Sequence, residues 1–398
     1  MILVVLFLYL FMPPLKVPIY HIFFICSLVY IFFNSGNIFK YKKKKIIYWN
    51  SMHIIIIIMY SFLIIVLSNR QLSNINTNII SFIEVPTIAF AITIYLRNNK
   101  KKFDDLIKSC ILVSIYQSIL SLICFMFPKL QEFFVENFVF LKMDEVQKKN
   151  LRWLMERRLY GVSNGLTYST PIYQSIISII CCMYFKIEKK YFIYFLLVLF
   201  SAVINARIGA IVFIVGFIII IFKKSNLEKI KYLFLIFIMG IIVLILLINF
   251  EENNTVKWIL DSIEEIKQLF NGKKIGTFAI LFGEDFLRTP NGINLIFGTG
   301  ETIFLKKHGS DIGYINDLWY GGIVYTMILW SFFIQNFLAL FYSKMESKFL
   351  NIKVLSLILF IISIISHVKG TFYAPSSYWN FIVLICVFNM VEKNRKGR

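Results

Sequence analysis

The sequence predicts an all-α integral membrane protein with about twelve transmembrane helices and two long external loops. Apolar residues make up 58% of the 398 residues and charged residues only 16%, whereas soluble domains have roughly 45–50% and about 25%. Long apolar runs recur along the chain, close to the roughly 20 residues that a helix needs to cross a hydrocarbon core. Basic residues gather in short clusters between these runs. Together these features predict a multi-pass membrane protein.

The predicted spans follow one another from the first residues to the last. They lie near residues 2–12, 19–34, 51–67, 78–96, 106–127, 170–185, 191–205, 208–222, 232–249, 318–342, 354–368 and 377–391. The first is short because Pro13 and Pro14 interrupt it, so we expect it to be tilted or half-inserted. The 32-residue run Tyr191 to Phe222 is too long for one crossing, so it should form a hairpin whose outer tip carries Asn205 and Arg207. We find no internal repeat, and treat residues 1–398 as one membrane domain.

The net charge of +20 could suggest a nucleic-acid partner. The basic clusters, however, occupy every second loop, at Lys40–Lys45, Arg97–Lys102, Lys186–Lys190, Lys223–Lys231 and Lys393–Arg398. Loops rich in Lys and Arg stay in the cytoplasm. We therefore expect a protein of the cytoplasmic (inner) membrane with both termini in the cytoplasm, membrane lipids around it and no nucleic acid bound.

This topology places two long segments outside, at residues 128–169 and 250–317. Apolar residues recur at helical spacing through the start of the second, which predicts an amphipathic helix ending at Asn271 and Gly272. Neither loop contains a metal-binding, nucleotide-binding or serine-hydrolase motif, so we expect no cofactor and no metal. The six cysteines lie in or beside apolar spans, where packing is their expected role.

Three places in the chain carry a resemblance to a known family. They read RLYGVSNGLTYSTP (158–171), NARIGAIVFIVGF (205–217), and LRTPNGINLIFGTGE (287–301) followed by HGSDIGYINDLWYGGIV (308–324). The arrangement resembles the bacterial O-antigen and capsular polysaccharide polymerases, which are related to the O-antigen ligases. The resemblance implies that a glycan on polyprenyl diphosphate is transferred to a hydroxyl of a second lipid-linked repeat unit. It also implies work at the outer face of the cytoplasmic membrane, with a chain-length regulator as a possible partner. The alternatives are a ligase with another acceptor, or a flippase or exporter of lipid-linked oligosaccharides.

Transfer from a diphosphate leaving group needs positive charge on the departing oxygens. Arginine suits this task because its planar fork binds phosphate oxygens bidentately. Arg207, at the predicted hairpin tip, is the best candidate, and Arg158 and Arg288 are secondary candidates from the two long loops. The alternative for Arg207 is a side chain that only snorkels into the headgroups.

The reaction also needs a base for the attacking hydroxyl. His308 is a candidate because an unperturbed histidine titrates near neutral pH, and Asp311 is the alternative. Asp311 and Asp317 could instead cap the following helix, and His308 could be a surface residue without a role.

Other polar or aromatic residues have two interpretations each. Glu84 lies within an apolar span, where an ionisable group is often functional unless protonation or a partner makes it harmless. The Gly298–Gly300 turn could cradle a phosphate or be a plain turn. His367 could join the outer face or only anchor a helix at the interface. For aromatics near the outer face, such as Tyr373 and Tyr378, we expect mainly a place in the aromatic belt, while a few could stack on sugar rings.

Overall fold

The computed structural model describes residues 2–13, 19–34, 44–70, 75–139, 148, 152, 158, 161, 163, 168–185, 188–222, 240, 249, 253–271, 287–301 and 312–391. Every regular element within these residues is helical, as predicted. In chain order the helices are α1 (Ile2–Phe11), α2 (Ile19–Phe33), α3 (Lys44–Leu67), α4 (Asn76–Asn98), α5 (Phe103–Met126), α6 (Pro128–Phe134), α7 (Ser169–Tyr184), α8 (Lys190–Asn205), α9 (Arg207–Phe222), α10 (Asn254–Phe270), α11 (Ile293–Phe297), α12 (Gly313–Phe341), α13 (Ile352–Lys369) and α14 (Ser377–Met390).

Five helices are long and apolar enough to cross a membrane, namely the Tyr48–Leu67 part of α3 together with α4, α5, α12 and α13. This supports a membrane protein. Shorter apolar helices include α1, α8, α9 and α14. A helix lies at every predicted span except the one near 232–249, which falls almost wholly outside the described residues. That the shorter helices cross the membrane stays a prediction.

The chain divides into two compact units. Unit 1 comprises residues 1–17 and 107–276, and unit 2 comprises residues 18–106 and 277–398. The border between them falls inside α5.

In unit 1, α7 packs against both α8 and α9. The helices α8 and α9 form the predicted hairpin, because Ala206 between them has an extended backbone (φ −158°, ψ 145°). Gly209 allows their close approach, since a Cβ there would lie 2.7 Å from the Ala202 carbonyl oxygen. The predicted amphipathic helix is α10, and its Val256 packs with Cys124 of α5 and Ile204 of α8.

In unit 2, α12 packs against α3, α11 and α13, and α4 packs against α2 and α14. The helix α12 is broken at Gly322, where φ is 67° and ψ is −167°. A break leaves helix carbonyls without their usual partners. Here the Thr299 and Gly300 amides donate to the carbonyl oxygens of Trp319 and Tyr320, at 2.8 and 3.0 Å. The Gly298–Gly300 turn therefore completes the hydrogen bonding of a broken helix, which favours the plain-turn interpretation.

Candidate active site

Arg207 is the first residue of α9 and lies at the turn of the α8–α9 hairpin. Its Nη1 donates to Glu265 Oε2 at 2.7 Å, and its Nη2 donates to the Trp258 carbonyl oxygen at 3.4 Å. The guanidinium carbon lies 4.8 Å from the centre of the Trp258 ring. The Arg207 side chain is 28% exposed. Both α10 residues therefore hold Arg207 in a partly buried position, which fixes its orientation more tightly than snorkelling alone requires.

A second guanidinium lies against the same ring. The guanidinium carbon of Arg158 is 5.1 Å from the centre of the Trp258 ring. An arginine within about 6 Å of an aromatic ring is attracted by the negative face of that ring. The structure thus brings together two of the three predicted arginines, and we call Arg158 and Arg207 the arginine pair. The Arg207 guanidinium pairs with the Glu265 carboxylate, and both guanidinium groups lie against the Trp258 ring.

Neither Trp258 nor Glu265 was identified as a site residue from the sequence. Both lie on α10, for which the sequence predicts only an amphipathic helix. They are seven residues apart, two helical turns, and so share one face of α10. A tryptophan and a carboxylate on one face, beside an apolar stripe, is the signal that could have identified them.

The third predicted arginine, Arg288, belongs to unit 2. Its side chain is exposed. Its backbone carbonyl oxygen accepts a hydrogen bond of 2.9 Å from the indole nitrogen of Trp319. The structure therefore gives its backbone a structural role, and a role for its side chain in binding diphosphate stays a prediction.

The two predicted bases, His308 and Asp311, lie outside the described residues. The next carboxylate along the chain, Asp317, lies in the second turn of α12 and is fully buried. It accepts hydrogen bonds of 2.5 Å from the Tyr373 hydroxyl and 2.8 Å from His367 Nε2. Asp317 is therefore no helix cap, since α12 begins four residues earlier. We call Asp317, His367 and Tyr373 the Asp317 cluster.

Aromatic rings enclose the Asp317 cluster. The Tyr314 ring centre is 4.4 Å from that of His367, and the rings of Trp330 and Phe372 pack on the same imidazole. Burial, followed by the nearby Asp317 carboxylate, raises the pKa of Tyr373 well above its ordinary value. Tyr373 therefore stays protonated and donates to Asp317. The interpretations of Tyr373 as a belt residue and of His367 as an interfacial anchor are both wrong, because both side chains are fully buried.

Glu84 has a partner that the sequence did not identify. His21 Nδ1 of α2 lies 2.9 Å from Glu84 Oε1, and Glu84 is buried. Glu84 ends a π-helical turn, Ile80–Glu84, within α4, and such turns are frequent at functional sites. The contact with His21 supplies the partner that makes a carboxylate acceptable inside an apolar span.

Comparisons with known proteins give no assignment: no family model, curated protein or solved structure matches the chain. Within the described residues, no group of three or more His, Cys, Asp or Glu side chains is arranged to hold a metal ion. The arginine pair around Trp258, which combines charge with partial burial, is thus the candidate site with the clearest chemistry.

Proposed function

We propose that the protein is a membrane-embedded glycosyltransferase, a polymerase of the O-antigen or capsular type. Its substrates are oligosaccharide repeat units linked to polyprenyl diphosphate, and it joins them at the outer face of the cytoplasmic membrane. The observation that carries the proposal is the arginine pair, two guanidinium groups within 4.8 and 5.1 Å of the Trp258 ring.

A glycosyl diphosphate leaves as an anion, so its departure is easier where positive charge is already in place. Guanidinium groups bind phosphate oxygens with two parallel hydrogen bonds. Glu265 and the Trp258 ring keep Arg207 in a defined orientation, which reduces the reorganisation needed when the substrate arrives. The arginine pair is therefore suited to stabilising the leaving diphosphate.

The acceptor hydroxyl needs a base, and we assign that task to His308 or Asp311. Loss of a general base typically lowers the rate by about 10²- to 10⁴-fold. The variants His308→Ala and Asp311→Asn should therefore reach the membrane in normal amounts yet make little long-chain glycan.

The main experiment replaces Arg207 and follows glycan length in cells. Removal of one group that stabilises a developing negative charge costs about 10²- to 10³-fold in rate, so Arg207→Ala should make almost no long chains. Arg207→Lys keeps the charge but loses the fork, and should retain only part of the activity. Arg152→Ala is the matched control, because Arg152 lies in the same long loop as Arg158 but pairs with the partly exposed Glu136.

If Arg207→Ala and the control reach equal levels in the membrane and make glycan chains of equal length and amount, the proposal is contradicted. The lipid-linked intermediate that accumulates separates the alternatives. A polymerase defect leaves single repeat units on lipid at the outer face. A flippase defect leaves them at the cytoplasmic face, and a ligase defect leaves long chains still attached to lipid.

A further inference from the structure

A set of polar side chains is fully buried inside unit 1, where apolar side chains would be expected. The members come from α5, α7 and α8, and they are Gln117, Ser118, Ser121, Gln174, Ser201 and Asn205. We call them the polar cluster. None carries a formal charge, so the cluster can offer hydrogen bonds but no ion pairing.

Hydrogen bonds and close contacts join the members. Gln174 Nε2 donates to Ser201 Oγ at 3.0 Å and to Ser118 Oγ at 3.3 Å. A Cβ at Gly161 would lie 2.6 Å from Gln117 Nε2 and 3.2 Å from Ser121 Oγ, so the backbone at Gly161 lies directly against α5. Asn205 follows Ser201 by four residues and lies on the same face of α8.

Several polar atoms of the cluster have no hydrogen-bond partner among the described residues. They are Ser121 Oγ, Gln174 Oε1 and both amide atoms of Asn205. Buried polar groups in folded proteins are almost always paired, because an unmade bond in a medium of low polarity is costly. Unpaired groups on neighbouring helices therefore point to something that supplies their missing bonds.

The polar cluster lies at the same end of its helices as the arginine pair. Asn205 is two residues before Arg207, and only Ala206 separates them. Ile204 packs against Cys124, one turn beyond Ser121 on α5, and against Val256, near Trp258 on α10. A ligand held by Arg207 would therefore have its next chemical group beside Asn205.

We propose that the polar cluster binds the hydroxyl groups of the sugar nearest the diphosphate. The inference rests on the proposed function, since it is the arginine pair that places the diphosphate. Amide and hydroxyl side chains both donate and accept, as sugar hydroxyls do. A neutral sugar ring matches the uncharged cluster, whereas an anion or a metal ion would not.

The test compares two probes on the purified full-length protein in lipid nanodiscs. One probe is bare polyprenyl diphosphate, and the other is the lipid-linked repeat unit extracted from cells that lack this protein. The wild type should bind the sugar-bearing lipid at least about tenfold more tightly, the gain expected from one or two added hydrogen bonds. In Asn205→Leu and Gln174→Leu, the affinity for the bare lipid should be unchanged and the tenfold preference should fall to less than about threefold.

Each variant keeps its fold for a structural reason. Leucine fills the volume of Asn205 while removing two unpaired polar atoms. In Gln174→Leu, Ser118 keeps its bond of 2.8 Å to the Ser114 carbonyl oxygen. The matched control is Ser178→Ala, because among the described residues the hydrogen bond of Ser178 Oγ stays within α7, to the Ser175 carbonyl oxygen at 2.7 Å. This variant should retain the full preference.

An unchanged preference in both leucine variants would overturn the inference and leave water as the occupant of the cluster. A wild type that binds both probes equally would overturn it as well. Failure of the proposed function has a different signature, in which bare polyprenyl diphosphate does not bind or binds Arg207→Ala as tightly as the wild type.

Discussion

Replacement of Gly322 by alanine should destabilise the protein strongly, because both the backbone angles at the break in α12 and the space around it require a glycine. The φ of 67° and ψ of −167° lie in a region that is essentially restricted to glycine. A Cβ would also lie 2.3 Å from the Ile296 carbonyl oxygen and 2.6 Å from the Gly298 amide nitrogen. Both are backbone atoms and cannot move aside by a change of rotamer.

Two contributions set the size of the effect. The backbone strain of a non-glycine residue in this region costs about 1–3 kcal/mol. Relief of the clash requires the Gly298–Gly300 turn to move away from α12, which breaks the bonds from the Thr299 and Gly300 amides to Trp319 and Tyr320. Each lost bond costs about 1 kcal/mol. The free energy of unfolding should therefore fall by about 3–5 kcal/mol in Gly322→Ala.

Titration with SDS in a mild detergent measures this free energy, and Gly292→Ala is the matched control. Gly292 also has a positive φ, 58°, but nothing lies within 4 Å of its Cβ position, so only the strain of about 1–3 kcal/mol applies. Gly322→Ala should thus be the less stable variant by about 2 kcal/mol, the two lost bonds. Equal losses in the two variants would refute the role of the turn in closing the broken helix.

Two further predictions concern the Asp317 cluster and the topology. Asp317→Ala removes the acceptor of His367 Nε2 and one of the two hydrogen bonds of the Tyr373 hydroxyl, which keeps its bond with Tyr325, and should cost about 2–4 kcal/mol in the same titration. Asp317→Asn keeps an acceptor oxygen for Tyr373 and should cost less than half as much. Equal costs would show that side-chain volume matters there rather than hydrogen bonding. Cys26 is exposed, whereas the other five cysteines are buried, so Cys26 is first replaced by Ser. In that background Lys142→Cys and Lys273→Cys should react with an impermeant thiol reagent in spheroplasts, and Asn226→Cys should not. The reverse pattern would move the reaction to the cytoplasmic face.

The helices were predictable because their signal is local. Apolar runs, their lengths and the basic clusters between them can be recognised without knowledge of any partner. The hairpin followed from length alone, since a 32-residue run exceeds one crossing, and the structure breaks it at Ala206. The break at Gly322 was not predicted, because the need for a positive φ there depends on a turn more than twenty residues earlier.

The site was predictable only where a residue is unusual for its surroundings. Arg207 was identified because a charged residue interrupts an apolar run. Its partner Glu265, 58 residues away, has the surroundings of an ordinary carboxylate on the solvent-exposed face of a helix. The Asp317 cluster joins residues 50 and 56 positions apart. In the sequence around them, Asp317 resembles a helix cap, His367 an interfacial anchor and Tyr373 a belt aromatic. The cluster is therefore recognisable only in the packed helices.

The shortness of the α8–α9 hairpin has a consequence for the surrounding bilayer. Each helix has 16 residues and is therefore about 24 Å long, whereas the hydrocarbon core is about 30 Å thick. A hydrophobic element shorter than the core is accommodated by local thinning of the bilayer, at a modest cost per ångström. If both helices cross the membrane, as predicted, lipid headgroups beside Arg207 lie nearer the membrane midplane than elsewhere. Under the proposed function, a thinner host bilayer should for this reason ease access of the substrate headgroup to the hairpin turn, and a thicker one should hinder it.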